Sequence, residues 1–322
     1  MTLLRPALAA LLSLAAAAAH AQAGNRIAEP TPVPASRWQA ERDQLDGSVR
    51  AGSLVANDPR SHWLAGQLDA TDPVAQVANF AQARVAVPAD KLYLSSLAVA
   101  CLAPVLPLPD ECQTTDRLAD WATRDTDNGV PSLVMAERAR RRNNVASEIA
   151  FLDEAAQRPR FDDYAGPGAM AIWESVRGLP GDPAAKAELA ASYVLLREPF
   201  AVRQMAGLCR DAGQAPDNVR AACHAAGNAV AQRAATWSLR VAGARLAERS
   251  AAPGAELTAA RAQLADVQRR ASDCAEAGNA VAAGFESADA AVRAKALAQW
   301  ESRLVQEARV GEVAACAAPV KR

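Results

Sequence analysis

Histidine is nearly missing from this chain, with three among 322 residues. His20 sits close to the N-terminus, so a histidine-based metal centre or a Ser-His or Cys-His catalytic pair would have to use His62 or His224. Lysine is almost as scarce: Lys91, Lys186, Lys295 and Lys321 stand against thirty-one arginines (35 − 4). With so much alanine as well, this reads as a bias towards GC-rich codons, and arginine clusters are discounted accordingly. The net charge of −1 gives no basic excess of the kind that nucleic acids or anionic membranes recruit. Alternating runs of β-branched and aromatic residues are lacking, and residues 83–88 (ARVAVP) are too short to found a sheet. No C-x-x-C or C-x-x-C-H occurs, so zinc-ribbon, thioredoxin-type and c-type haem readings have no support. H-E-x-x-H, G-x-S-x-G, S-x-x-K and the phosphate-loop motif are missing too. Residues 166–171 (GPGAMA) fit G-x-G-x-x-[GA] formally, but no strand precedes them. No metal-ligand set and no cofactor is implied.

What is present begins at the N-terminus. Residues 1–21 carry one basic residue (Arg5), an apolar run over 7–19 broken by Ser13, and an Ala19-His20-Ala21 end. That order is the signature of a secretory signal peptide cleaved after Ala21. The run is short of the roughly 20 residues a spanning helix needs, and no later segment is long and charge-free enough to span. The expectation is export, with a periplasmic location and no membrane span. Six cysteines in an exported chain suggest disulfides. Cys101 and Cys112 flank a proline-rich loop, and Cys209 and Cys223 flank residues 210–218. Closing each loop would stabilise by roughly 3 kcal/mol on the chain-entropy model. Cys274 and Cys316 pair only by elimination. A helix over 287–309 would put them at its opposite ends, so that helix bends back, or one cysteine is free or bonded to another chain.

Beyond a polar, proline-rich linker at 22–36, almost everything reads as helix. Asp58-Pro59, Asp72-Pro73 and Asp182-Pro183 each supply an N-cap acid followed by Pro at the first helical position. Helices are expected near 37–50, 59–69, 73–85, 89–102, 114–124, 131–142, 145–157, 168–178, 183–207, 217–249, 255–277 and 287–309. Short helices up to 178 predict hairpin repeats. Longer ones over 183–322, with interruptions at Pro199 and Pro216, predict an antiparallel bundle. The two regions, 37–178 and 183–322, meet at residues 178–183 (GLPGDP). The expected fold is all-α.

Residues 131–142 and 145–157 form one such hairpin. Ser132, Met135, Ala136 and Ala139 share a face of the first helix, and Val145, Ile149, Leu152 and Ala156 make a stripe on the second. Asn143-Asn144 suits the joint. With Ala136, Leu152, Ala155 and the terminating Pro159, this stretch resembles a degenerate tetratricopeptide repeat, over about 30 residues. The family's Trp, Leu-Gly and Tyr positions are unmatched, and Glu148 stands where a small residue is usual. The resemblance implies an α-solenoid whose concave face holds a peptide or partner protein. The chain also resembles exported helical proteins of GC-rich proteobacteria, which implies nothing about function.

Candidate site residues follow. Arg138, Arg141 and Arg142 lie on one helix face, where guanidinium forks could cradle a carboxylate or phosphate. The competing reading, adopted here because of the arginine bias, is a solvated face paired with Glu137, Glu148, Asp153 and Glu154. Six tryptophans spread over as many helices fit core anchors, with Trp173 beside Tyr164 the one placed to bind. Glu174-Ser175, Glu286-Ser287 and Glu301-Ser302 resemble the Glu-Ser dipeptide of lytic transglycosylases, without that family's following Gly-Leu-Met/Leu-Gln segment. The preferred reading is a non-catalytic exported protein- or peptide-binding or scaffold protein. Alternatives are a peptidoglycan-acting enzyme using a Glu-Ser pair, or an envelope protein that self-associates through its alanine-rich last helices.

Overall fold

A computed structural model describes residues 39–68, 72–102, 109–209 and 215–317, with backbone alone at 54 and 193–200. The signal and linker expectations, at 1–36, and Trp38 lie outside these residues. The described residues are all-α, with fifteen helices and no strand. They run α1 Gln39–Ala56, α2 Pro59–Leu68, α3 Pro73–Ala86, α4 Lys91–Ala100, α5 Asp110–Gln113, α6 Arg117–Arg124, α7 Val130–Arg141 and α8 Val145–Gln157. Then follow α9 Ala165–Val176, α10 Pro183–Gly207, α11 Asp217–Arg233, α12 Trp237–Ser250, α13 Ala255–Phe285, α14 Ala290–Val310 and α15 Glu312–Ala317. No helix among the described residues is long and apolar enough to cross a membrane.

Side-chain caps set most of the starts. Asp58, Asp72 and Asp182 each accept backbone N–H bonds from the first turn that follows, as their Asp-Pro pairs predict. Asp90, Asp116, Asn144, Thr236 and Asp289 do the same for α4, α6, α8, α12 and α14. Each such cap contributes about 1 kcal/mol by satisfying an otherwise orphaned donor.

Residues 83–88 are the end of α3 and its exit. Three expectations are corrected. α10 runs unbroken through position 199. The helix expected over 217–249 is two, α11 and α12, reversed at Ala234-Ala235-Thr236. There Thr236 caps α12, while Ala235 donates to Phe161 O at 2.8 Å and accepts from Val313 N at 3.0 Å. Last, α13 continues to Phe285 rather than 277, so Cys274 lies well inside the helix instead of close to its end. α14 returns antiparallel, Gly311 turns the chain at φ 85°, and α15 brings Cys316 to Cys274 with their Cα atoms 5.9 Å apart. The other two bridges join Cys101 to Cys112 and Cys209 to Cys223.

Packing follows chain order for most of the molecule, each helix lying on the next from α1 to α4, and then α6 on α7 and α7 on α8. α8 then packs on α11, not on α9, while α9 and α10 lie against α14 and α1. α10 also touches α7 and α12. One core gathers Trp121, Leu133, Leu152 and Phe161 with Met205, Val230 and Leu239; a second gathers Trp63, Phe80, Leu97 and Trp173 with Leu189, Trp300 and Leu304. Both take residues from either side of 178–183, so that turn separates helices of different length without separating their cores. A small third core joins Trp237 and Val241 to Val267, Ala271 and Val313.

The tightest crossing is α11 on α12. A Cβ built on Gly227 would stand 2.5 Å from Ala247 N, and one on Gly243 would stand 2.6 Å from Ala231 N. Any side chain there forces the helices apart. Gly243→Val is expected to lower the unfolding free energy by about 3 kcal/mol. Gly52→Ala, in an exposed stretch of α1 with open space around it, is expected to raise it by about 0.5–1 kcal/mol through helix propensity. Urea titration of the two variants measures both changes.

Candidate functional site

Four interhelical joints meet side by side: 125–129 between α6 and α7, 158–164 between α8 and α9, 234–236 between α11 and α12, and Gly311 between α14 and α15. Backbone bonds stitch them together. Gly129 N donates to Arg160 O at 2.8 Å, Arg160 N to Asp127 O at 3.2 Å, Ala235 N to Phe161 O at 2.8 Å and Val313 N to Ala235 O at 3.0 Å. These pairings leave two isolated parallel bridges, Asn128 with Arg160 and Phe161 with Ala234. Arg233 adds side-chain bonds to Ala156 O and Arg158 O, covering the carbonyl end of α8.

Asp125 lies at the centre of this seam with its side chain fully buried. Its Oδ2 accepts from Tyr164 OH at 2.5 Å, Asn128 Nδ2 at 2.9 Å and Trp121 Nε1 at 3.2 Å. Its Oδ1 faces Arg160 Nη2 at 2.6 Å and Lys91 Nζ at 3.1 Å. Burial pushes the carboxyl upward, but the bonds from Tyr164 and Asn128 and the charges of Arg160 and Lys91 outweigh it and hold it below its ordinary value. Asn128 is used completely: Nδ2 also donates to Asp162 O, and Oδ1 accepts from Val130 N and Asp162 N. The phenol of Tyr164 is pushed up by burial and by the Asp125 carboxylate. Tyr164 holds a left-handed backbone (φ 63°) at the start of α9, fixed by its N–H on Asp162 Oδ1. A carboxylate with five donors is a fastener: it has no free lone pair with which to take a proton or a ligand.

Of the residues singled out from sequence, Tyr164 belongs to this network and Trp173 does not. Trp173 is 3% exposed, donates to Glu301 Oε1 at 3.1 Å and meets Trp300 edge-on at 4.7 Å between ring centroids. Trp173 is therefore a core anchor and not an exposed platform, as are Trp63, Trp121, Trp237 and Trp300, all buried. Arg138 pairs with Asp116 at 2.7 Å. Arg140 grips Glu137 at two points, 2.7 and 2.8 Å, and Arg141 reaches the same carboxylate at 2.9 Å. Glu137 is buried beneath them against Gly207, so the chain's own carboxylate fills the cradle. Arg142 is exposed at the end of α7. Burial raises Glu148, and nearby Arg140 partly offsets it.

The three Glu-Ser glutamates have different surroundings. Glu174 is 38% exposed and paired with Arg60 at 2.8 Å, Glu286 is exposed after α13, and Glu301 holds Trp173. His62 meets Asn57 at 3.1 Å, and His224 bridges Ala247 O and Glu256 at 2.9 and 3.0 Å. Among the described residues no three His, Cys, Asp or Glu side chains gather as a metal site. Along the edge of the seam, a shallow groove of about 430 Å3 is lined by Thr126, Asp127, Glu154, Gln157, Arg158 and Pro159. It is polar and carries both signs of charge. Compared with family models, with curated proteins and with solved structures, the chain matches none.

Asp125→Ala leaves Arg160, Asn128 and Tyr164 without their common acceptor and is expected to cost about 3 kcal/mol of stability. Tyr164→Phe removes one donor and should cost about 1–2 kcal/mol. Because the folded state lowers the Asp125 value, its ionic contribution is fully present above the ordinary carboxyl range and is lost as pH falls through the lowered folded-state value. The stability difference between the wild type and Asp125→Ala, followed by circular dichroism, should therefore be smaller at pH 3 than at pH 7.

Proposed function

We propose that this chain is a non-catalytic binding or scaffold protein of the cell envelope, reached by export. The observation that carries the reading is the way chemistry-bearing side chains are used. Asp125, Arg138, the Glu-Ser glutamates at 174 and 301, and His224 are each engaged by other parts of the chain in joining helices, and Arg140 and Arg141 are occupied by Glu137 of their own helix. The three disulfides suit an oxidising compartment, and the N-terminal pattern suits an export signal. Stacked helical hairpins present broad surfaces, and the groove at 126–127 and 154–159, where Arg158 pairs with Glu154 and Asp127 is exposed, offers polar groups to an extended peptide. The tetratricopeptide-like stretch at 130–159 borders that groove, which supports a protein or peptide partner over a small metabolite.

A second reading, self-association, draws on α14. Ala291, Ala294, Ala298 and Val305 lie exposed at helical spacing on one side of it, and Val305 is 50% exposed. Crosslinking residues 22–322 in envelope extract under non-reducing conditions separates the two. Binding predicts one partner recovered repeatedly, with crosslinks on 59–178. Links confined to copies of the chain itself, through 255–316, would overturn binding in favour of self-association. Release of peptidoglycan fragments by the purified protein, abolished by Glu174→Gln, Glu286→Gln or Glu301→Gln, would overturn both.

A further inference from the structure

The three disulfides close segments of very different length, with sequence separations of 11, 14 and 42. The longest, Cys274–Cys316, ties the middle of α13 to α15, a segment of six residues. Gly311 turns the chain into α15, Val313 N donates to Ala235 O at 3.0 Å, and Glu312 Oε2 accepts the Trp237 N–H at 2.9 Å. Val313 packs with Trp237, Val241 and Val267 in the small third core. The two sulfurs of this bridge are unequally placed. Cys316 is partly exposed on α15, whereas Cys274 is buried in α13. Arg303 of α14 directs Nη2 at the Cys274 sulfur, 3.4 Å away, while Glu307 holds its Nε at 2.6 Å. In the other two bridges the sulfurs are alike: Cys209 and Cys223 are both buried, and Cys101 and Cys112 are both partly exposed.

We propose that Cys274–Cys316 is a redox latch, opened by a dithiol that attacks Cys316 and expels Cys274 beside Arg303, and that opening frees α15 from the start of α12. Thiol–disulfide exchange runs fastest at an accessible sulfur whose partner departs as a stabilised thiolate. A neighbouring guanidinium supplies that stabilisation, and here it stands on the buried sulfur, the one an incoming reagent does not reach. One thiolate of the dithiol bonds to Cys316 Sγ, the S–S bond breaks, and its electron pair passes to Cys274 Sγ. The second thiol of the reagent then displaces Cys316. The dithiol ends as a disulfide and the protein as two thiols, with two electrons and two protons passed from one to the other. Opening the longest of the three loops also returns the most conformational freedom to the chain. Departure of Val313 then uncovers Trp237, Val241 and Val267, an apolar surface that the oxidised protein keeps covered.

The test treats the full, oxidised chain with limiting dithiothreitol at one pH, quenches with acid, and reads each cysteine pair by alkylation and peptide mass spectrometry. Cys274–Cys316 should be reduced about tenfold faster than Cys101–Cys112, with Cys209–Cys223 last. Arg303→Gln should lose that lead without changing the rates at the other two pairs, and Arg303→Lys, which keeps the charge, should restore most of it. Glu307→Gln leaves the guanidinium charge to the sulfur and should widen the lead. Reduction of Cys101–Cys112 first, or a lead unmoved by Arg303→Gln, would overturn the latch. Should Arg303→Gln fail to fold by far-UV circular dichroism, Glu307→Gln decides, and an unmoved rate there would also overturn it. Amide hydrogen exchange on the wild type, before and after that first reduction, reads the release of α15. Protection of the Val313 amide should fall by about tenfold or more, while the Trp63 amide in the second core keeps its own. Val313 protection unchanged by reduction would overturn the release.

Discussion

The buried carboxylate of Asp125 is the constraint around which the helical joints are arranged. An ionised group so deep in a helical protein is tolerated only if its lone pairs are filled. Filling them here requires side chains from α4, α6 and two separate joints: Lys91, Trp121, Asn128, Arg160 and Tyr164. Satisfying one carboxylate therefore fixes the position of segments that lie up to 39 residues from it in sequence. The backbone bonds through Arg160, Phe161, Ala235 and Val313 extend that fixity to the last helices.

Helix-only proteins generally leave their joints to solvent, and the joints supply little cohesion. Here four joints are partly buried and paired with one another, and apolar packing does the rest. Small residues let α11 and α12 approach at Gly227 and Gly243, and tryptophans fill the wider gaps. The same division explains the arginines. Arg138, Arg160 and Arg233 are cross-links between elements, each spent on a carboxylate or on carbonyls at a helix end, while Arg140 and Arg141 both hold Glu137 of their own helix. Their abundance does not make a charged binding face.

The all-α class and most helix starts were legible because they rest on local chemistry: an Asp before a Pro, an Asn at a joint, an apolar stripe at helical spacing. Two disulfides were legible for the same reason, since each closes a short loop. The break at Ala234-Ala235 was not, because both alanines favour helix and the reversal depends on Phe161 and Val313, far away in sequence. The third disulfide looked doubtful because a helix over 287–309 would put its two cysteines at opposite ends. The position of Cys274 well inside α13, which ends at Phe285, and the turn at Gly311 remove the difficulty. Within the site, Tyr164 was noticed as an aromatic beside a glycine turn, but Asp125, Asn128 and Arg160 were missed. Asp125 and Asn128 look like ordinary capping residues until the partner segment 35 residues later is in place.

Whether the four joints behave as one unit is best measured by amide exchange in Asp125→Asn at constant pH. If the seam is a single cooperative structure, protection at Gly129, Ala235 and Val313 falls together, although Ala235 and Val313 make no contact with the substituted side chain. If protection falls at Gly129 alone, Asp125 is a local cap and the seam has no unity.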